Sequence, residues 1–482
     1  MLPWLPGNEG HFVGPGRRKT RVKTMHLTSI NPATEELLKT FEPHTPEKIG
    51  LALDESVAAF RAWRQTGFPE RARRMTSAAT CLRANRTRFA GLITAEMGKP
   101  ITEAEAEIDK CAWNCEYYAE HAARFLQNEL RVSNASESYI QCAPLGTILA
   151  IMPWNFPFWQ LFRFAAPALM AGNTAILKHA SNVPQCSLAI EEIFTDAFPA
   201  GTFRSLLIPG SEIGSVIEDP RIAAVTLTGS ENAGSETAAL AGRTLKKTVL
   251  ELGGSDPFIV LPDADIESAV KTGVRSRFQN AGQSCIAAKR FIVVGKAYEE
   301  FRDRFLTSVR ALKMGNPMLP ETQMGPMARK DLLDALERQV RGSLQKGANL
   351  LTGGRRCPGV GYYFEPTVLD EVTPDMPSTV EEVFGPVAAL MKAENEEDAI
   401  RLANCSPYGL GASLWTEDLL LARRMARDIE AGQVFVNGMV LSDPRLPFGG
   451  VKRSGYGREL SEFGIREFVN IQTVWIGPQR NP

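Results

Sequence analysis

Apolar residues recur at helical spacing through the first quarter of the chain and in short strand-like bursts after it. Thr45-Pro46-Glu47 puts a side-chain cap and a proline at the opening of a helix that runs through Trp63. Amphipathic helical spacing continues to about residue 130. Residues 138–143 have strand character, and 146–151 form an apolar strand that runs straight into Pro153. Strands and helices then alternate: strand 174–177, helix 183–198, strand 205–208, helix 212–218, strand 223–227, helix 232–245, strand 248–250. A second series opens after Gly254 with strand 258–260, a helix over 265–279 capped by Asp263-Ala264-Asp265, and strand 290–294. Alternation continues to about residue 462, and 468–476 is strand-like again after the turn-rich 448–458. Short strands separated by helices predict an α/β fold of parallel sheets covered on both faces. Such doubly wound sheets bind nucleotides at their carboxyl edge.

The pattern divides the chain into 25–130 with 147–252 as a nucleotide-binding unit and 253–466 as a second α/β unit. Segments 131–146 and 467–482 belong to neither series and read as strands for pairing with another subunit. Residues 1–24 stand apart, with four glycines, three prolines and the basic run Arg17, Arg18, Lys19, Arg21, Lys23. They read as a disordered leader, or as a start assigned too early with Met25 the true first residue.

Composition narrows the function. A chain of 482 residues with 44% hydrophobic content can bury more than one core. A formal net charge of −1 gives no global attraction to nucleic acid or to acidic membranes. The longest apolar stretch, 165–177, is interrupted by Pro167, Gly172 and Asn173, which argues against a membrane span. Eight cysteines at irregular spacing read as reduced thiols in a cytoplasmic protein. Cys111 and Cys115 share a helix face beside Trp113 and Tyr117, which reads as packing; no metal site is expected.

Candidate chemistry centres on Cys285, in Gln279-Asn280-Ala281-Gly282-Gln283-Ser284-Cys285. A lone cysteine is ordinarily a small buried hydrophobe. Here small neighbours leave room for a substrate. A thiol of ordinary pKa needs activation to become a nucleophile. None of the five histidines stands in a catalytic turn, which leaves a carboxylate base, and Glu251 on the Gly253-Gly254 turn is the candidate. The dinucleotide fingerprint of three spaced glycines is missing; residues 228–234, with Gly229 and Gly234 between a strand and a helix, come nearest to it.

Taken together, Pro153-Trp154-Asn155-Phe156-Pro157, Lys178, residues 228–234, Glu251-Leu252-Gly253-Gly254, residues 282–285, 381–386 and 447–450 resemble the NAD(P)-dependent aldehyde dehydrogenases over about residues 27–476. Residues 152–163, 178–184 and 442–460 are most similar to the bacterial succinate-semialdehyde dehydrogenases. The resemblance implies two doubly wound α/β domains plus a small β oligomerisation element, in a homodimer or homotetramer. It implies that Cys285 attacks the aldehyde, that Asn155 and the Cys285 N–H hold the oxyanion, and that Glu251 activates the hydrolytic water. Trp154, Lys178, Ser181, Gly229, Ser230, Leu252 and Glu382 would hold the dinucleotide, and Phe384 and Phe448 would wall the reaction centre.

NAD-selective relatives often carry a glutamate three residues after the ribose-binding lysine. Here that position is the neutral Ser181, so NADP is expected as the preferred cofactor, with NAD as a second acceptor. Arg163, with Trp159 and Ser442, is expected around the distal carboxylate of succinic semialdehyde. Gln279 stands where several relatives place a second arginine, which widens the expected range toward glutarate semialdehyde and aliphatic aldehydes. A non-catalytic scaffold of the same fold, and nucleic-acid binding through the basic run, are the competing readings.

Overall fold

The computed structural model describes residues 26–477, so the expected leader and its basic run lie outside the described residues. The first helix is Pro46–Trp63, and the Thr45 hydroxyl caps it by accepting from the Lys48 N–H. Helices Phe68–Ala84, Arg86–Met97 and Ile101–Phe125 follow. The last stops short of residue 130, because Glu129–Leu130 leaves it to pair with Tyr139 and Ile140. Cys111 and Cys115 are buried in the core that these helices share.

Strand Glu137–Pro144 pairs along its whole length, antiparallel, with Val469–Ile476. With Glu129–Leu130 they form a three-stranded sheet outside the two α/β layers. Its edge strand leaves Ile471 62% and Trp475 51% exposed.

In the six-stranded sheet, Thr147–Met152 lies between Thr174–His179 and Ile222–Thr228. Phe203–Ser205 and Lys247–Glu251 flank these two, and all four of the pairings are parallel. The order in which the chain fills the sheet reverses at Thr147–Met152. A crevice therefore opens beyond the carboxyl ends of Thr147–Met152 and Ile222–Thr228, as at any such switch point. The strand expected at 205–208 is instead Phe203–Ser205. Leu206 and Ile208 are buried in a side-chain cluster with Leu149 and Ile176, so their apolar character marks packing and not strand pairing.

The second sheet has seven strands, in the order Asn349–Thr352, Thr367–Asp370, Val387–Ala393, Ala288–Val294, Asp256–Val260, Gly411–Trp415, Gln433–Val436. All its pairings are parallel except the first. Gly455–Tyr456 pairs with Glu251 and Leu250 of the six-stranded sheet. The chain thus crosses back to the other sheet beside the candidate base. One helix has no counterpart in the sequence pattern. Trp159–Ala171 is buried at every position, with Pro167 inside it and Gly172 ending it in the left-handed conformation. Full burial removes the polar face that periodicity detects.

Candidate active site

The helix Ile266–Phe278 ends in an unusual turn. Asn280, Ala281 and Gly282 have φ of 51°, 52° and 72°, three left-handed residues in succession just before Cys285. Such a run is costly for residues other than glycine and needs compensation from its surroundings. The side chain of Asn280 donates to the carbonyls of Asn155 at 2.9 Å and Gln283 at 3.2 Å. The Gln283 amide donates to the Asn280 carbonyl and accepts from the Ala328 N–H. Buried Arg277 donates to the carbonyls of Gly282 and Gly385. A side chain at Gly282 would place its Cβ 2.5 Å from the Gly385 carbonyl oxygen.

Cys285 is fixed from its other side. The Lys289 ammonium donates to the carbonyls of Ser284 at 2.9 Å and Cys285 at 2.7 Å. Glu382 lies 3.5 Å from that ammonium and accepts from the Gly254 N–H at 3.0 Å. Gly254 packs so closely that a Cβ there would lie 2.5 Å from the Cys285 carbonyl oxygen. The Gly-Gly turn, Glu382 and Lys289 therefore form one bracket around the backbone of the nucleophile.

Asn155 follows the strand Thr147–Met152, and its amide nitrogen donates to the Gln283 carbonyl at 3.1 Å. An amide NH2 has two hydrogens. One is committed to the cysteine loop and fixes the plane of the group, which leaves the second for another acceptor.

Two cavities meet at Cys285. The first, about 310 Å³, lies at the switch point of the six-stranded sheet and is lined by Trp154, Asn155, Gly229, Ser230, Leu252 and Glu382. The second, about 240 Å³, is lined by Lys110, Trp159, Arg163, Ser442 and Phe448. Cys285 and Gln160 line both. Gln279 lines the second cavity and an adjoining cleft of about 960 Å³. Lys178 is the penultimate residue of strand Thr174–His179 and is buried, which pushes its ammonium pKa down. Ser181 is exposed three residues on. Neither lines the two cavities.

Burial pushes the Cys285 thiol up to about 12; Arg163 and Lys289 pull the other way and do not prevail. Glu251 is 2% exposed, and neither of its carboxylate oxygens has a hydrogen-bond partner among the described residues. Its pKa is pushed well above the carboxylate range, first by burial and then by the charge of Glu459. Glu251 lines neither cavity. The Arg163 guanidinium is ion-paired with Glu459, both nearly inaccessible, and stacks over Phe448 at 4.4 Å. Arg163 therefore faces the second cavity already neutralised. Trp154 meets Phe384 edge to face at 5.7 Å on the side of the first cavity.

The sequence reading had not singled out Lys110, Gln160, Lys289 or Glu459. Gln160 and Lys110 sit on helices, and nothing local separates them from ordinary helix residues. Lys289 lies four residues after Cys285, a spacing whose meaning depends on the left-handed turn before it.

The sequence model of the aldehyde dehydrogenase family matches residues 19–474. A Synechocystis sp. protein named probable succinate-semialdehyde dehydrogenase, NADP(+), is 51% identical over 453 residues, covering 94% of this chain and all of that protein. A Mycobacterium tuberculosis protein named succinate-semialdehyde dehydrogenase, NADP(+), 1 is 49% identical over 456 residues, with 94% and 100% covered. The crystal structure of succinic semialdehyde dehydrogenase from Streptococcus pyogenes in complex with NADP+ superposes with a TM-score of 0.92 at 39% identity. It covers 94% of this chain and all of that one. With its two cavities joined at Cys285, this chain belongs to the aldehyde dehydrogenase family.

Proposed function

We propose that the protein oxidises succinic semialdehyde to succinate with NADP as the preferred acceptor and NAD as a weaker one. The observation that carries the reading is that Cys285 lines both cavities, one at a nucleotide crevice and one walled by cationic and hydrogen-bonding side chains. The relatives named above for the same substrate and cofactor support it.

The setting of the first cavity suits a dinucleotide. It lies at the switch point, beside the thirteen-residue helix Glu231–Arg243 whose first turn is capped by Ser230. Free N–H groups at a helix start attract phosphate. Trp154, Gly229, Ser230, Leu252 and Glu382 would hold the cofactor there, with Lys178 and Ser181 toward the adenosine ribose. Bound NADP supplies the acceptor for the hydride that leaves the substrate carbon.

The chain's own residues do the rest. The sulfur of Cys285 adds to the aldehyde carbon and gives a tetrahedral thiohemiacetal. The second hydrogen of the Asn155 amide and the Cys285 N–H donate to its oxyanion, charge that develops in the transition state. After oxidation a thioester remains on Cys285. Glu251 moves from its buried position to take a proton from water, which attacks the thioester carbonyl and releases the carboxylate with Cys285 as leaving group. Trp159, Arg163, Ser442 and Phe448 wall the aldehyde.

All eight cysteines are free thiols, which supports a cytoplasmic setting. Among the described residues, no helix is long and apolar enough to cross a membrane. The exposed Ile471 and Trp475 on an edge strand support a homodimer or homotetramer joined through that sheet. A steady-state comparison of succinic semialdehyde, glutaric semialdehyde and butanal, each with NADP and NAD, tests the reading. It requires the highest kcat/KM for succinic semialdehyde with NADP and no turnover by Cys285→Ala. A preference for butanal would overturn the substrate, and a preference for NAD the cofactor.

A further inference from the structure

The second cavity contains a charge that the aldehyde chemistry described so far does not use. Five ionisable side chains line it besides Cys285: Glu103, Glu107, Lys110, Arg163 and Arg275. Glu107 is ion-paired with Lys99 and also accepts from the N–H groups of Phe158 at 2.9 Å and Trp159 at 3.0 Å. Glu103 accepts from the Asn280 N–H at 2.8 Å. Arg163 is neutralised by Glu459. Arg275 is exposed.

Lys110 differs from all of these. It is half-buried, and among the described residues no carboxylate lies within ion-pairing distance of its ammonium. The nearby Asp443 is instead held by Arg445 at 2.6 Å. The Lys110 ammonium donates to the Ser442 hydroxyl at 2.8 Å and sits 4.2 Å from the centre of the Trp159 ring. The Trp159 indole N–H also donates to the Ser442 oxygen, at 2.9 Å. A hydroxyl oxygen has two acceptor sites and one hydrogen. Both acceptor sites of Ser442 are filled, so its own hydrogen must point elsewhere. Two coupled groups, the ammonium and the hydroxyl, thus offer donors without an anion to receive them, and the aromatic ring fixes both.

We infer that Lys110, braced by Ser442 and Trp159, is a cation that takes the distal carboxylate of the substrate. The inference rests on the carboxylate-bearing substrate proposed above. An anion in this position completes two hydrogen-bond donors at once. It also relieves the cost of holding an ammonium partly out of water, a cost that appears as a Lys110 pKa pushed down to about 8, first by burial and then by Arg163. Arg163 has further N–H donors, but its charge is already balanced by Glu459. The neutral Gln279 needs no replacement, because the second cation comes from another helix.

The test compares wild type, Lys110→Met and Lys110→Arg on succinic semialdehyde and butanal. Truncating one partner of a desolvated charge pair lowers affinity by roughly 30-fold to several thousand-fold. For Lys110→Met, kcat/KM on succinic semialdehyde should therefore fall by about 30-fold or more, through a raised KM. The loss on butanal should be much smaller, and Lys110→Arg should recover most of the semialdehyde activity. Equal losses on the two aldehydes, with a lowered melting temperature, would make Lys110 a structural residue and overturn the assignment. Unchanged selectivity in Lys110→Met would overturn it too. A wild-type enzyme with no preference for succinic semialdehyde over butanal would overturn the substrate reading itself. That failure is distinct, because it is read before any variant is made.

Discussion

Arg163 and Glu459 are locked together in the wall between the substrate cavity and Glu251, both almost wholly out of water. Removing one partner of such a pair leaves an uncompensated buried charge, at a cost of about 3–5 kcal/mol. It also leaves Glu459 beside Glu251, where Arg163 is the first of the charges that lower the Glu251 pKa. Arg163→Gln should therefore lower the melting temperature and slow succinic semialdehyde and butanal alike. Thermal unfolding with kinetics on both substrates checks this. A loss confined to the semialdehyde, with unchanged stability, would return the carboxylate to Arg163.

The pH dependence of selectivity has a definite sign. The Lys110 pKa is depressed from the ordinary lysine value to about 8, so the ammonium is charged below that pH and lost above it. Burial and then Arg163 push it down, while Cys111, Asp443 and Glu107 pull it up. The ratio of kcat/KM for succinic semialdehyde to that for butanal should be flat below about pH 7. It should fall about tenfold per unit above about pH 8. Taking the ratio cancels titration of Cys285 and Glu251, which serve both substrates. A ratio flat to pH 10 would contradict the expectation.

Ser181 follows the strand end that carries Lys178, exposed and without charge. A carboxylate there would accept from a ribose 2′-hydroxyl and repel a 2′-phosphate of roughly −1.5 to −2 charge, by analogy with other phosphoesters. Ser181→Glu should reverse the ratio of kcat/KM for NADP and NAD in favour of NAD. An unchanged ratio would remove Ser181 from the cofactor site.

The close approach of Gly254 to Cys285 gives a backbone test. A Cβ at this position would meet the Cys285 carbonyl oxygen at 2.5 Å and Asp256 Oδ1 at 3.1 Å. Gly254→Ala should displace the nucleophile's backbone, and misplacement on the order of 1 Å can cost about a hundredfold in rate. The expected result is a large fall in kcat with the fold retained, measured by kinetics and thermal unfolding.

Both α/β series were legible because parallel strands buried on two faces read as apolar bursts between helices. The caps Thr45 and Asp265 were legible because capping is local. The short motifs around Asn155, Glu251 and Cys285 stood out by composition. What was hidden depends on tertiary contact. The helix Trp159–Ala171 lost its amphipathic signature to complete burial. The partner of Arg163 lies far away in sequence, at Glu459, just past a segment that reads as turns. Lys110 faces the cavity at helical spacing from Glu103 and Glu107, a pattern that on its own describes any solvated helix face.

The central claim, a covalent intermediate on Cys285 resolved by Glu251, is tested most directly by rapid mixing of Glu251→Gln with NADP and succinic semialdehyde. An amide cannot take a proton from water, so oxidation should outrun hydrolysis. The account predicts a burst of NADPH equal to the concentration of active sites, slow turnover after it, and a succinyl group on the peptide that contains Cys285. A burst lost together with turnover, or an adduct on any other residue, would contradict it.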